Sequence, residues 1–364
     1  TQELISFAKE LIKNESYSGY NIKDILSKTK TDDRQTTQEL ISFAKELIKN
    51  ESYSGYNIKD ILSKTKTDDR QTTQELISFA KELIKNESYS HYDIKDILSD
   101  VKSNNKQTTQ QQIAFAKELI ESKGYNVAIS EILDGTKNDD EQITQQQIAF
   151  AKELIESKSY DPYDIATILD ETIAYDGQTT QQVIDLAKEL AMGKNYNAED
   201  IAKILRRAIA NDKGVAQLQI AFAKELTQDK NYNTDDIDKI LITTESGSEQ
   251  TTRELIAFAK ELLENEYNTN DIANILNSLY SSFGEDISLN IKNAKKILAT
   301  INEDDGLTKE QAVAILKSKD TISAEDIKKL QKRMGYKNAA RLNGADIIFR
   351  SEEHTSELQS RPHI

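Results

Sequence analysis

The sequence predicts an all-α fold, an α-solenoid of tandem helical hairpins with a period near 36 residues. Three observations predict it. Thr1–Thr36 recurs without a change as Thr37–Thr72. The segment Phe-Ala-Lys-Glu-Leu then marks each copy, starting at Phe7, Phe43, Phe79, Phe115, Phe150, Leu186, Phe222 and Phe258. The spacing is 36 residues except for one step of 35, and Leu replaces Phe once. Within each copy, apolar residues fall at helical spacing and small polar residues stand where helices begin. A fixed period of this size denotes stacked units that touch their neighbours, not a closed globule.

The first element of each copy is an amphipathic helix. In the second copy Leu40, Ile41, Phe43, Ala44, Leu47 and Ile48 fill an arc of roughly 160° on a helical wheel. The spacing predicts a helix over 37–50, with Thr36 or Thr37 as N-cap and a capping box between Thr36 and Glu39. Ala44 at the middle of the stripe permits close approach of a neighbouring helix.

The second element starts after a tyrosine. Tyr53-Ser54 with Asn57 three residues on, and later Tyr160-Asp161 with Asp164, Tyr196-Asn197 with Asp200, Tyr232-Asn233 with Asp236 and Tyr267-Asn268 with Asp271, each place a small polar N-cap before an Asn or Asp. The tyrosine at N′ is positioned as a hydrophobic staple, a packing role we prefer to carbohydrate stacking. Ile58, Ile61 and Leu62 form the apolar face, and a polar loop such as Thr67-Asp68-Asp69-Arg70-Gln71 leads into the next copy. Helices of about 12 residues are marginal alone, so stacking has to stabilise them.

The expected organisation is eight tandem hairpins over 1–276 and a diverged helical C-terminal cap over 277–349. Within that cap, 277–303 reads as an irregular insertion ending in a helix near 290–301, and 304–336 as a ninth hairpin, because Ser323-Ala324-Glu325-Asp326-Ile327 parallels Asn197-Ala198-Glu199-Asp200-Ile201. Residues 350–364 stand apart. Arg350 to Ser360 is similar to the in-frame translation of a common sequencing adapter, and we expect no function from this tail. That resemblance suggests a fragment from a contaminated, metagenomic-type assembly. An upstream segment is also expected, since the chain opens at Thr1, at the first position of a repeat.

Composition narrows the partners. Charged residues make up 30% and the net charge is −15, so the surface suits basic proteins or cations and repels nucleic acid and anionic lipid. The chain has no cysteine, which removes disulfides, thiol nucleophiles and Cys-ligated zinc. No apolar run is long enough for a membrane span. These features suit the cytoplasm and a bacterial cell surface equally.

The polar signature shared by all copies is a Lys-Glu pair: Lys45-Glu46, Lys81-Glu82, Lys117-Glu118, Lys152-Glu153, Lys188-Glu189 and Lys224-Glu225 among them. On the wheel, with Leu40 at zero, Lys45 falls near about 140° and Glu46 near about 240°, on opposite flanks of the apolar stripe. In a parallel stack the Lys of one copy meets the Glu of its neighbour. The pairs are therefore expected to form an inter-repeat ladder, or alternatively to bind an extended partner.

Chemistry-bearing motifs are sparse. The loops around Asp176-Gly177 and Asp305-Gly306 faintly resemble EF-hand or dockerin loops, but the ligand positions fail: with Gly177 sixth, positions one, three and twelve are Thr172, Ala174 and Val183. His91 replaces Gly19 and Gly55 and reads as an exposed loop position. No nucleophile system or phosphate loop is assembled, and no cofactor is expected. The period resembles that of tetratricopeptide and pentatricopeptide repeats, yet the Trp, Gly and Pro landmarks of the former are missing. The expected function is a non-enzymatic scaffold or spacer that mediates protein–protein interaction. The alternative is a bacterial surface-associated module that binds calcium through degenerate acidic loops such as Asp32-Asp33, Asp68-Asp69 and Asp139-Asp140.

Overall fold

The structure is a computed structural model. It describes residues 2–14, 16–50, 52–122, 124–125, 128–174, 176–193, 196–209, 212–229, 231–281 and 287–299, together with 309, 312, 313 and 316. The proposed ninth hairpin over 304–336 falls almost wholly outside these, and the adapter-like tail entirely so. Among the described residues the regular structure is all α-helical.

The helices pair along the chain. Hairpins form from α1 (Gln2–Lys13) and α2 (Gly19–Thr29), α3 (Arg34–Ile48) and α4 (Gly55–Thr65), and α5 (Arg70–Lys85) and α6 (His91–Val101). The next are α7 (Lys106–Glu121) and α8 (Ile129–Thr136), then α9 (Glu141–Ser157) and α10 (Pro162–Asp170); α11 (Gly177–Met192) and α12 (Ala198–Ala208) follow in the chain. α13 (Lys213–Gln228) and α14 (Thr234–Thr244), then α15 (Glu249–Glu264) and α16 (Thr269–Ser281), form the last two hairpins, and α17 (Ile287–Leu298) follows. Odd-numbered helices are called A and even-numbered ones B.

The chain divides into two compact units, one of Thr1–Ala187 with Asn197–Ala202, the other of Lys188–Tyr196 with the chain from Lys203 onward. In the first unit, α1, α3, α5, α7 and α9 pack in series as one layer and α2, α4, α6, α8 and α10 as the other, each A helix also touching the B helices on either side. In the second unit α13, α15 and α17 form the A layer against α14 and α16. Each unit thus has the solenoid-like repeat packing that the period predicts.

The core is the repeat motif itself. Phe43, Phe79, Phe115, Phe150, Phe222 and Phe258 are buried, with Ala44, Ala80, Ala116, Ala151, Ala223 and Ala259 beside them. Burying such a Phe removes enough apolar surface to contribute roughly 1.5–3 kcal/mol, which a lone short helix lacks. B helices add Ile58, Ile61 and Leu62 and their counterparts. The N′ tyrosines Tyr53, Tyr89 and Tyr267 are half-buried to buried, and burial raises the pKa of each phenol above its usual value.

Helix A starts earlier than the sequence suggests. α3 begins at Arg34 with Asp33 as N-cap, and the backbone N–H and hydroxyl of Thr36 both donate to Asp33 Oδ2 at 2.6 Å. Asp69 does the same for Thr72 at 2.7 Å. A carboxylate opposite the helix dipole outcompetes a hydroxyl at this site. The Thr36–Glu39 capping box therefore does not form: Glu39 accepts instead from Arg70 at 2.8 Å and Gln74 at 2.6 Å of the next copy. The second threonine ties the loop down. Thr37, Thr73, Thr109, Thr144 and Thr180 accept, through Oγ1, the backbone N–H of Thr31, Thr67, Ser103, Asn138 and Ala174 at 3.0–3.2 Å.

Helix B starts where expected. Ser54 with Asn57, Ser90 with Asp93, Asp161 with Asp164 and Asn233 with Asp236 form reciprocal capping boxes. His91 is the first residue of α6, half-buried, with its ring 3.9 Å from that of Tyr92, so it is not the exposed loop residue expected. The exception among B helices is α8. It has eight residues and no side-chain cap, because the single missing residue of the 35-residue step falls between Tyr125 and Ile129.

Within 277–303 the helix expected near 290–301 is present as α17, three residues earlier, and the described residues before it continue α16 instead of breaking from it. α16 runs to Ser281, and α17 packs on α15 in the place of a ninth helix A. Asn293 stands in the Phe slot and Asn290 in the Leu40 slot, which hid the motif, while Ala294 keeps the buried Ala position.

Candidate functional site

The Lys-Glu pairs meet between copies. Lys45 pairs with Glu10, Lys81 with Glu46, Lys117 with Glu82 and Lys152 with Glu118 in the first unit, at 2.6–2.8 Å. In the second, Lys224 pairs with Glu189, Lys260 with Glu225 and Lys295 of α17 with Glu261, at 2.5–3.2 Å. In each case the lysine reaches back to the preceding copy. At five rungs the ammonium also lies over the preceding copy's Phe ring: Lys45 is 5.9 Å from the Phe7 centroid, Lys81 5.9 Å from Phe43, Lys152 5.9 Å from Phe115, Lys260 5.6 Å from Phe222 and Lys295 5.6 Å from Phe258. Glu153 is exposed on α9 and Lys188 half-buried on α11, and these two belong to different units. At Lys45, Lys81, Lys152, Lys260 and Lys295 the ammonium is thus held by a carboxylate and an aromatic face together.

Two further ladders escaped the sequence reading. At the A-helix N-termini, Arg34 pairs with Glu3 at 2.6 Å and Arg70 with Glu39 at 2.8 Å. The Arg34 guanidinium holds the Glu3 carboxyl down to about 2. At the B-helix C-termini a lysine of one copy caps the helix before it. Lys66 Nζ donates to the Lys30 carbonyl, Lys102 to the Lys66 carbonyl, and Lys137 to the Ser99 carbonyl at 2.8 Å. These carbonyls are the orphan acceptors at a helix end, and a cation there also suits the dipole. Because each lysine acts on the preceding copy, single-helix capping rules do not reveal it.

The acidic loops are largely engaged in the fold. Asp33, Asp69 and Asp140 are N-caps, and Asp176 accepts the Thr179 N–H at 2.8 Å. Asp139 accepts from Ser103 Oγ at 2.9 Å and Asn104 Nδ2 at 3.4 Å, and these bonds lower its pKa. Among the described residues no group of three His, Cys, Asp or Glu converges in a way that suits a metal. Nor is any described helix long and apolar enough to cross a membrane.

One set of side chains repeats and faces outward. Tyr20, Tyr56, Tyr92 and Tyr163, the second residues of α2, α4, α6 and α10, are 71%, 58%, 59% and 53% exposed. They are a different set from the N′ tyrosines that pack inward. Lys59 lies 4.4 Å from the Tyr56 centroid and Lys95 5.7 Å from that of Tyr92, so part of each ring is screened by a cation. The sequence shows the recurrence of this slot; its exposure depends on which flank of α4 meets α2 and α6. Compared with known proteins, the chain matches no protein family, no curated protein and no solved structure.

Proposed function

We propose that the chain is a non-enzymatic helical-repeat scaffold that binds protein through side chains presented at the same place on successive hairpins. The observation that carries this reading is the outward row Tyr20, Tyr56, Tyr92 and Tyr163 on the B layer. Tyrosine offers a rigid, amphipathic contact area at low entropic cost, and such residues dominate the energetics of protein interfaces. The Lys-Glu ladder serves a different end in this account. Its charges pair with each other, so it holds the stack in register and leaves recognition to the tyrosines.

The test compares wild type with a variant carrying Tyr→Ser at 20, 56, 92 and 163 in affinity capture followed by mass spectrometry. The reading expects partners that are retained by wild type and lost by the variant while Tm changes little. A partner set common to both proteins contradicts it. The same melts, run with calcium and then with chelator, address the alternative of a cation-responsive surface module. A calcium-dependent rise of many degrees would favour the acidic loops over the tyrosines.

A further inference from the structure

We propose that α8 and its flanking B helices form an acid-tightened joint: α8 opens locally at neutral pH and closes as the carboxyls of Asp100 and Asp170, on the helices either side of it, take up protons.

The joint is built from a weak helix. α8 has eight residues where α2, α4, α6 and α14 have eleven, and its N-cap Ala128 supplies no side-chain bond to the orphan N–H groups. A helix this short has little stability of its own and depends on its neighbours. The contact with one neighbour is tight. A Cβ on Gly135 would lie 2.9 Å from Leu169 Cβ and 3.1 Å from Asp170 Oδ1, so the α8 backbone is pressed against α10 beside a carboxylate. On the other side, Ser130 Oγ of α8 donates to Asp100 Oδ2 of α6.

Asp100 and Asp170 lie on the two B helices that pack against α8, and Asp134 is exposed on α8 itself. Asp100 on α6 is half-buried, and burial, with Asp134 and Asp96 nearby, pushes its carboxyl up to about 6 against the pull of the Ser130 bond and Lys137. Asp134 comes from α8, Lys137 is the α8 C-cap, and Asp96 lies on α6 itself. α4 brings Lys64, which donates to Ser99 Oγ at 2.9 Å, one residue from Asp100. α5 and α7 also pack on α6, and the largest influences on Asp100 come from α6 and α8. Asp170 on α10 is raised as well, by burial and by Asp134 and Glu171, with no contribution from α9, the other helix of its hairpin. The charge of Asp134 thus acts to raise the carboxyl on each flanking helix.

The direction of the effect follows from linkage. A carboxyl whose closed-state pKa lies above its open-state value gives most stability at low pH and loses it as pH rises through the closed-state pKa. With Asp100 moving between about 6 when closed and roughly 3.9 when open, closure is favoured about tenfold more at pH 5 than at pH 7.5. Among the described residues Asp100 and Asp170 are the carboxyls that burial raises, so the response is expected at this joint.

Amide hydrogen exchange of the full chain, read by mass spectrometry at pH 5 and pH 7.5 and corrected for intrinsic rates, tests the proposal. The peptide covering α8 is expected to gain about tenfold protection at pH 5, while α14, with its Asn233 cap, does not change. Asp100→Asn is expected to give high protection at both pH values. Protection of α8 that ignores pH, or a pH dependence that survives Asp100→Asn, overturns the proposal. Should Asp100→Asn lose helicity, Asp134→Asn takes its place. It removes the charge that acts on both flanking carboxyls and is expected to reduce the pH dependence, and an unmoved profile overturns the proposal equally.

Discussion

Gln112, Gln147 and Gln219 occupy the slot that Leu40 and Leu76 hold in earlier copies, and all three are fully buried. Each is matched by a buried threonine at the C-terminal end of helix B of the same hairpin, the last residue of α8 and α14 and just beyond α10. Gln112 Nε2 donates to Thr136 Oγ1 at 3.1 Å, Thr172 Oγ1 donates to Gln147 Oε1 at 2.8 Å, and Gln219 Nε2 donates to Thr244 Oγ1 at 3.2 Å. Where the slot is Leu76, the facing position is Val101; where it is Leu40, Thr65 turns its hydroxyl to the Leu62 carbonyl. The copies thus exchange an apolar pair for a hydrogen-bonded one at a single place in the core. Thr172→Val keeps the shape and strands Gln147, so urea unfolding should show a loss of about 1–3 kcal/mol. Adding Gln147→Leu should recover most of that loss, because removing both partners leaves no unpaired group. A double variant as unstable as the single one would show that the pair has no such coupling. The sequence contains this signal as a substitution pattern, but it becomes visible only when the two positions are known to face each other.

At the scale of the helix, the elements and their apolar faces were legible because the same stripe recurs eight times. The helix starts were less so. Thr36 and Asp33 are both capable N-caps, and the choice falls to Asp33 because its carboxylate accepts two bonds from Thr36. α17 was expected as a helix near 290–301, but two asparagines at core slots hid its kinship with helix A, which is given by Ala294 and by Lys295 continuing the ladder to Glu261. The lysines that cap the preceding B helix were illegible, since their partners are backbone carbonyls one copy away. The Lys-Glu ladder belongs to this scale too. Both groups are partly exposed, so each rung contributes only about 0–1 kcal/mol. Lys81→Glu should lower stability by about 1 kcal/mol, and Glu46→Lys added to it should restore most of the loss. High salt should shrink both effects, as chemical denaturation at two ionic strengths would show. A loss of several kcal/mol that salt does not reduce would mean that the rung has a role beyond charge pairing.

At the scale of the molecule, each hairpin within a compact unit is held by contacts to its immediate neighbours. Stability is then a sum of hairpin and interface terms, with no unique residue on which the array depends. The duplicated first copies allow a direct test. Deleting Thr37–Thr72 joins Thr36 to Thr73, which restores the junction that Thr36 and Thr37 make in the parent chain. Every remaining interface, including the rung from Lys81 back to a glutamate now supplied by Glu10, is rebuilt from identical residues. Far-UV circular dichroism of the deletion protein, followed through urea unfolding, is the measurement that tests this most directly. The account predicts an unchanged ellipticity per residue and a cooperative transition with its midpoint close to that of the parent. A loss of helicity per residue, or collapse of the transition, would contradict the claim that the fold is an array of interchangeable, neighbour-held hairpins.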